Sequence, residues 1–385
     1  PITLNSSTPL NGLIRLGTVE LLEDQRISGG FRISTNLKDN EWFMTYQNYK
    51  RRIDWGLTYY RNVQQVGDNF GNFIGRLYTN LYQVNVAYPF DETKSLRLTT
   101  GIRSDKIVTA SQDPGTLVAE DDKRLYSTTR LEYVYDNSLN PTLNIWNGLR
   151  YKFYIDWNRQ VNKVKFADGP TTFNFGFDGR YYYPILRNFI WAGRVAGDFS
   201  WGNQKIIYYL GGVDGWLMFG QNQKYDQNGV LIKERYFNTS NPPDPDQDYA
   251  FQSLAVNMRG YIQNVANGNN AVVINSEFRL PVFTTLLNRP INNSFLRNFQ
   301  IIQFFDFGTA WNGAYDKFKR PEVVYGNPPL QVKIKAGGLG PFAGGYGFGA
   351  RSTLLGYFVK FDAGWPMTGF FKGSPILYVS LGLDF

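Results

Sequence analysis

The sequence predicts an all-β chain folded as a transmembrane antiparallel β-barrel of sixteen strands, with a long inward-folded extracellular loop. Three observations carry this. First, the chain ends on Leu377, Val379, Leu381, Leu383 and Phe385, apolar residues that alternate with Tyr378, Ser380, Gly382 and Asp384. Such a strand touches lipid with every second side chain and a polar interior with the others; a half-buried strand of a soluble domain has the same period. Second, aromatic residues make up 17% of the chain, yet the mean hydropathy is −0.35. No apolar run reaches the roughly 18 residues a membrane helix needs, whereas a barrel dilutes its apolar face with interior and loop residues. The 26 Tyr, 30 Phe and 9 Trp suffice for two interfacial girdles. Third, alternating segments separated by turn-forming residues recur from end to end.

In order, strands are expected near 12–22, 25–36, 41–50, 52–64, 73–88, 94–109, 123–136, 149–157, 171–184 and 187–201. Within 149–157, Leu149, Tyr151, Phe153, Ile155 and Trp157 form one face, and Arg150, Lys152, Tyr154 and Asp156 the other. A long irregular stretch follows, and then 270–282, 297–310, 345–355, 356–366 and 376–385. A bacterial barrel with both ends in the periplasm has an even number of strands, so one more is expected beyond these fifteen. Tight connections such as 88–94 and 184–188 suit the periplasmic side, and long polar ones the extracellular side. No linker divides the chain: 1–385 reads as one barrel domain without a periplasmic domain, and 202–269 as a long functional loop.

Composition removes several function classes. Without Cys there are no disulfides, thiolate zinc sites or thiol nucleophiles, and without His the usual general base and zinc ligand are missing. The net charge of +8 comes from Lys and Arg scattered at strand spacing. That pattern suits a charged interior or anionic lipid headgroups better than nucleic acid. No signal peptide is visible at Pro1. Asp244, Asp246 and Asp248 have a calcium-like spacing, but an EF-hand loop needs Gly and Glu where this chain has Tyr249 and Ala255. A solvated, proline-stiffened loop is expected there, with no metal and no cofactor.

The constellation that points to function begins in the long loop with Asn257-Met258-Arg259-Gly260-Tyr261. The next strand carries Asn275-Ser276-Glu277-Phe278-Arg279, and the one after it Gln303-Phe304-Phe305-Asp306-Phe307-Gly308. Alternation turns Val272, Ile274, Phe278 and Leu280 to lipid, so Glu277 and Arg279 face inward. Asp306 shares its face with Gln300 and Gly308. Two carboxylates on adjacent strands thus meet one cavity, where the planar fork of an Arg on an infolded loop can bind both.

This order of motifs resembles the BamA, TamA and FhaC superfamily of outer-membrane assembly and translocation proteins, most strongly over 205–385. The resemblance implies a sixteen-stranded barrel whose sixth extracellular loop folds inward. Arg259-Gly260-Tyr261 matches the loop tip, Glu277 the first acid, Asp306 the second, and Leu210-Gly211-Gly212 the upstream Gly-Gly element. Gly347 to Ser352 and Phe361 to Pro366 are similar to the penultimate hairpin, and Phe385 to a terminal assembly signal, with Ser380 where Gly is common. The chain departs from the family in lacking room for soluble periplasmic domains, and in a longer stretch between Leu210 and Arg259 that holds Asp214-Gly215-Trp216.

The resemblance implies a non-enzymatic bacterial outer-membrane protein that helps insert or translocate others through a seam between about 12–22 and 376–385. Its expected partners are outer-membrane lipids, client outer-membrane or secreted proteins, and periplasmic or lipoprotein subunits, not nucleic acid. Two other readings stand beside it: a scaffold barrel within a larger complex, and a passive porin-like channel whose interior charges set ion preference. A protease or lipase needs an acid–base constellation that a chain without His does not offer.

Overall fold

The computed structural model describes residues 11–34, 40–67, 73–109, 121–162, 169–186, 188–219, 222–225, 231–287, 290–313, 322–325, 332–335, 342–367 and 373–385. Arg187 and the far end of the strand expected over 25–36 lie outside them. The first strands are β1 (Asn11–Val19), β2 (Gln25–Ser34), β3 (Asn40–Asn48), β4 (Asp54–Gly67), β5 (Phe73–Pro89), β6 (Lys94–Thr109) and β7 (Asp122–Asp136). There follow β8 (Leu139–Thr142), β9 (Ile145–Gln160), β10 (Thr171–Pro184) and β11 (Ile190–Gly202). The long loop contributes β12 (Lys205–Leu210), β13 (Gln223–Tyr225), β14 (Leu231–Glu234), β15 (Tyr249–Leu254) and β16 (Ala266–Gly268). The chain then runs through β17 (Asn270–Pro281), the short helices α1 (Val282–Leu286) and α2 (Ser294–Arg297), and β18 (Gln300–Trp311). It closes with β19 (Glu322–Tyr325), β20 (Val332–Lys335), β21 (Ala343–Leu354), β22 (Tyr357–Pro366) and β23 (Ile376–Leu381).

Among the described residues, one antiparallel sheet holds sixteen strands. Fifteen neighbour one another in the order β1 to β7, β9, β10, β11, β17, β18, β21, β22, β23, and β8 pairs with β9 alone. The fifteen are the long segments that alternation marks, and the sixteenth is the four-residue β8. By internal contacts the chain divides into two compact units. The first comprises the described part of Ser7–Val134 with Tyr154–Phe173. Its exposed side chains include Trp42, Trp55, Leu57, Tyr82, Leu98, Ile102 and Trp157. The opposite side pairs charges and hydroxyls: Arg130 Nε donates to Asp156 at 2.5 Å, and Thr79 Oγ1 to Asp105 at 3.0 Å.

The second unit, Tyr135–Phe153 with Asn174–Phe385, sets the same pattern more sharply. Tyr181, Tyr183, Ile274, Phe278, Ile301, Phe348, Phe361 and Leu377 are exposed, while Glu277, Arg279, Asp306, Arg351, Lys360 and Asp362 are buried. A water-soluble domain has the reverse arrangement. Strands with apolar side chains outward and charges inward are stable where lipid covers the outer face.

Three expectations need correction. The stretch 202–269 is not irregular: β12 pairs in parallel with β15 and antiparallel with β16, and β13 pairs with β14. These strands have three to six residues, too short for alternation to stand out among Asn, Asp and Pro. The connection between β18 and β21 likewise holds the hairpin β19–β20. Finally, the last strand stops at Leu381 rather than 385. Gly382 adopts φ 111°, and beyond it Asp384 pairs with Arg351 while the Phe385 carbonyl accepts from Arg279.

Candidate functional site

The site is built on the buried face of β17, β18, β21 and β22, all within the second unit. Pairing of β17 with β18 sets Asn275 opposite Asp306 and Glu277 opposite Phe304. Pairing of β21 with β22 sets Gly349 opposite Asp362 and Arg351 opposite Lys360. Because side chains alternate, Asn275, Glu277, Arg279, Asp306, Arg351, Lys360 and Asp362 all leave the same surface of the sheet.

Onto this surface comes the loop tip. Arg259 Nε and Nη2 donate to Asp306 Oδ2 and Oδ1 at 2.8 and 2.9 Å, a bidentate fork. The Arg259 backbone N–H adds a third bond to Asp306, 2.9 Å. Its Nη2 lies 2.7 Å from Glu277 Oε1 and its Nη1 3.8 Å from Asp362. The guanidinium carbon stands 3.8 Å from the centre of the buried Phe304 ring. Burial disfavours the charge on Arg259, but Asp306 and Glu277 more than offset it, so the group is held well above the ordinary arginine value. Asp306 takes a further bond from Asn275 Nδ2, 2.8 Å, and the same amide donates to the Asn257 carbonyl of the loop.

Glycines make room for this approach. A Cβ on Gly345 of β21 would stand 1.8 Å from the Arg259 carbonyl oxygen, and one on Gly364 of β22 2.6 Å from Gly260 N. Gly260 itself has φ 96°, in the region that favours glycine. Its N–H donates to the Tyr378 hydroxyl at 3.0 Å, and that hydroxyl donates to the Tyr261 carbonyl at 2.7 Å. Gly212 N also donates to the Tyr261 carbonyl and Met258 N to the Gly212 carbonyl, which brings the Gly-Gly element beside the tip. Burial pushes the Tyr261 phenol up to about 12.

The network extends beyond the residues that the motif names. Arg279 Nε donates to Glu277 Oε2 at 2.8 Å and Nη2 to the Phe385 carbonyl at 3.0 Å, with its guanidinium 4.8 Å from the Phe385 ring centre. Phe385 therefore lies against arginine rather than in the outward-facing series. Arg351 pairs with Asp362 and with Asp384, each at 2.9 Å, and Lys360 Nζ lies 3.7 Å from Asp384. Asn144 clamps Asp384, donating from Nδ2 at 2.9 Å and accepting the Asp384 N–H at 3.0 Å. Four cations, Arg259, Arg279, Arg351 and Lys360, thus face four carboxylates, Glu277, Asp306, Asp362 and Asp384. The motif gives no role to Arg351, Lys360, Asp362, Asp384 or Tyr378. Parity on the last hairpin groups Lys360 with Asp362, since 360, 362 and 364 share one face.

The arrangement can hold a loop in one position. No cluster of three or more acidic side chains suited to a metal occurs among the described residues.

No family model and no curated protein matches the chain. Among solved structures it is similar to BamA from Haemophilus ducreyi lacking POTRA domains 1-3, with a TM-score of 0.58 and 12% identity over 97% of this chain and 67% of that one. CdiB from Escherichia coli matches with a TM-score of 0.47 and 13% identity, over 98% of this chain and 60% of that one. The BamA likeness, joined to the outward apolar and inward charged faces, gives this chain the fold of an outer-membrane β-barrel.

Proposed function

We propose that this barrel helps insert or translocate other proteins at the bacterial outer membrane and does so without catalysing a reaction. The observation that carries the reading is the docking of Arg259 on Asp306 and Glu277. A loop pinned by a bidentate fork and a second carboxylate holds one position on the barrel's inner face instead of sampling many. The seam between about 12–22 and 376–385 serves as the working edge once it opens, because backbone groups left unpaired on a strand are a template for strand addition. Arg259, Gly260, Tyr261, Glu277 and Asp306 act together as the lock on the loop. Phe385 is the terminal signal by which the barrel itself is assembled. Client outer-membrane or secreted proteins, periplasmic or lipoprotein subunits that deliver them, and the lipids around the apolar face are the partners.

Reconstitution into liposomes tests this. An unfolded outer-membrane barrel added as client should gain protease protection faster with the intact protein than in protein-free vesicles, and Arg259→Ala should reduce the gain. Equal rates with and without the protein would defeat the reading. Large, steady, ion-selective conductance of the intact protein in planar bilayers would favour the channel instead.

A further inference from the structure

Part of the long loop upstream of the docked tip lies along the last strand. Gly382 N donates to Phe358 O on β22, and backbone groups alternate between edges along a strand, so those of Val379 and Leu381 point away from β22. That edge is occupied. Leu217 N donates to Val379 O at 2.7 Å, and Trp216 forms an antiparallel bridge with Ser380. A Cβ on Gly215, which has φ 66°, would stand 3.1 Å from Leu381 O. The Trp216 ring packs 4.7 Å from Tyr378 and edge-on to Tyr236 at 5.3 Å, in a cluster with Val213, Met218, Ile262 and Ile376.

We propose that Gly215–Leu217 is an internal cover strand on the edge of β23 facing away from β22, and that an extended strand of another protein pairs there once the cover leaves. The cover is held by neutral contacts, namely the Leu217–Val379 backbone bond within the Trp216–Ser380 bridge, the bond from Asp214 N to Asn257 Oδ1 beside it, and ring packing, whereas the tip is held by charge-assisted bonds to Asp306 and Glu277. An edge left bare pairs with whatever strand arrives, and a short internal strand prevents that. That the incoming strand belongs to a client rests on the proposed function; the occupancy of the edge does not.

The chain has no cysteine, so a disulfide can be placed without competition. Trp216 and Ser380 face each other as a non-hydrogen-bonded pair, for which Cα atoms lie about 4.5 Å apart, within disulfide reach. The double variant Trp216→Cys, Ser380→Cys should cross-link on oxidation in the membrane-embedded protein. The probe is a synthetic peptide of residues 149–157 carrying a photoreactive group, with capture mapped by mass spectrometry. The oxidised form should capture it on β23 about tenfold less than the same protein reduced, as expected when the open state is withdrawn from the equilibrium. Leu217→Pro, which removes the donating N–H, should raise capture above the unaltered protein. Failure to cross-link, or capture on β23 that ignores both oxidation and Leu217→Pro, would overturn the proposal. Redox-dependent capture without any client insertion would uphold the cover and defeat the proposed function; insertion with redox-indifferent capture would do the reverse.

Discussion

Asp306→Asn is the sharpest probe of the docked loop. Asp306 is fully buried and accepts from Arg259 N, Nε and Nη2 and from Asn275 Nδ2, at 2.8–2.9 Å. Asparagine in its place removes one charge and turns a donor toward two of the four donors, either Arg259 N and Nε or Arg259 Nη2 and Asn275 Nδ2. Breaking a buried ion pair costs about 3–5 kcal/mol. Glu277 still contacts Arg259 at 2.7 Å, so the lower end applies, about 3 kcal/mol or roughly 150-fold in the docked-to-released ratio. The strands do not share the loss, because their ladders are backbone bonds made whether or not the tip is docked. Trypsin reads the release directly. The Arg259–Gly260 bond is cleavable only when the now-buried Arg259 leaves its partners, and cleavage tracks the open population when reclosing is fast. Cutting to fragments 1–259 and 260–385 should therefore accelerate about a hundredfold, while the barrel still runs as a folded band in unheated detergent electrophoresis. Acceleration below about twofold would mean that Asp306 does not hold the tip, and the argument from its four bonds would fail.

The same cleavage assay serves three further variants. Adding Glu277→Gln to Asp306→Asn should accelerate cutting much less than the two single effects multiplied, because both act through one guanidinium. Gly345→Ala puts a methyl 1.8 Å from the Arg259 carbonyl oxygen, and overpacking of this kind typically costs about 1–3 kcal/mol; the tip should loosen while the folded band persists. Tyr378→Phe leaves the Gly260 N–H without its acceptor, a buried loss of about 1–3 kcal/mol, so cutting should rise by about tenfold. In planar bilayers Arg259→Ala should conduct more than the unaltered protein if the tip obstructs the pore, and equal conductance would place the obstruction elsewhere.

Much of this was legible in the residues because β-structure writes its faces into parity. Alternation alone put Glu277 and Arg279 on one face and Ile274 and Phe278 on the other, which is how they are buried and exposed. The same rule read on 345–351 and 360–364 would have added Arg351, Lys360 and Asp362, but glycines dilute that signal: Gly345, Gly347, Gly349 and Gly364 occupy the charged face. The bend at Gly382 was not legible. A single glycine does not by itself mark the end of a strand, and the partners of Asp384 beyond it are Arg351 and Asn144, one of them distant in sequence by 240 residues. Nor was the pairing of Trp216 with Ser380, since a two-residue contact has no period to detect.

A buried ion pair is weak evidence for stability, because desolvation consumes much of the attraction. What the charged face supplies is a single register. An apolar tip could slide by a residue along a greasy surface at little cost, whereas a planar fork set between two carboxylates has one orientation that satisfies its donors. Neutrality matters equally: among the described residues of the site, four cations stand against four carboxylates. Tyr378 then joins the tip to the edge, its hydroxyl held by Gly260 and Tyr261 and its ring by Trp216. The coupling is lopsided. Lifting Trp216 removes only a ring contact from Tyr378 and leaves every bond of Arg259 in place. Releasing Arg259 frees Gly260 and Tyr261, so Tyr378 loses both partners of its hydroxyl and Trp216 loses a fixed surface to pack on. A cover that moves on an anchor that stays is the order of events this asymmetry favours.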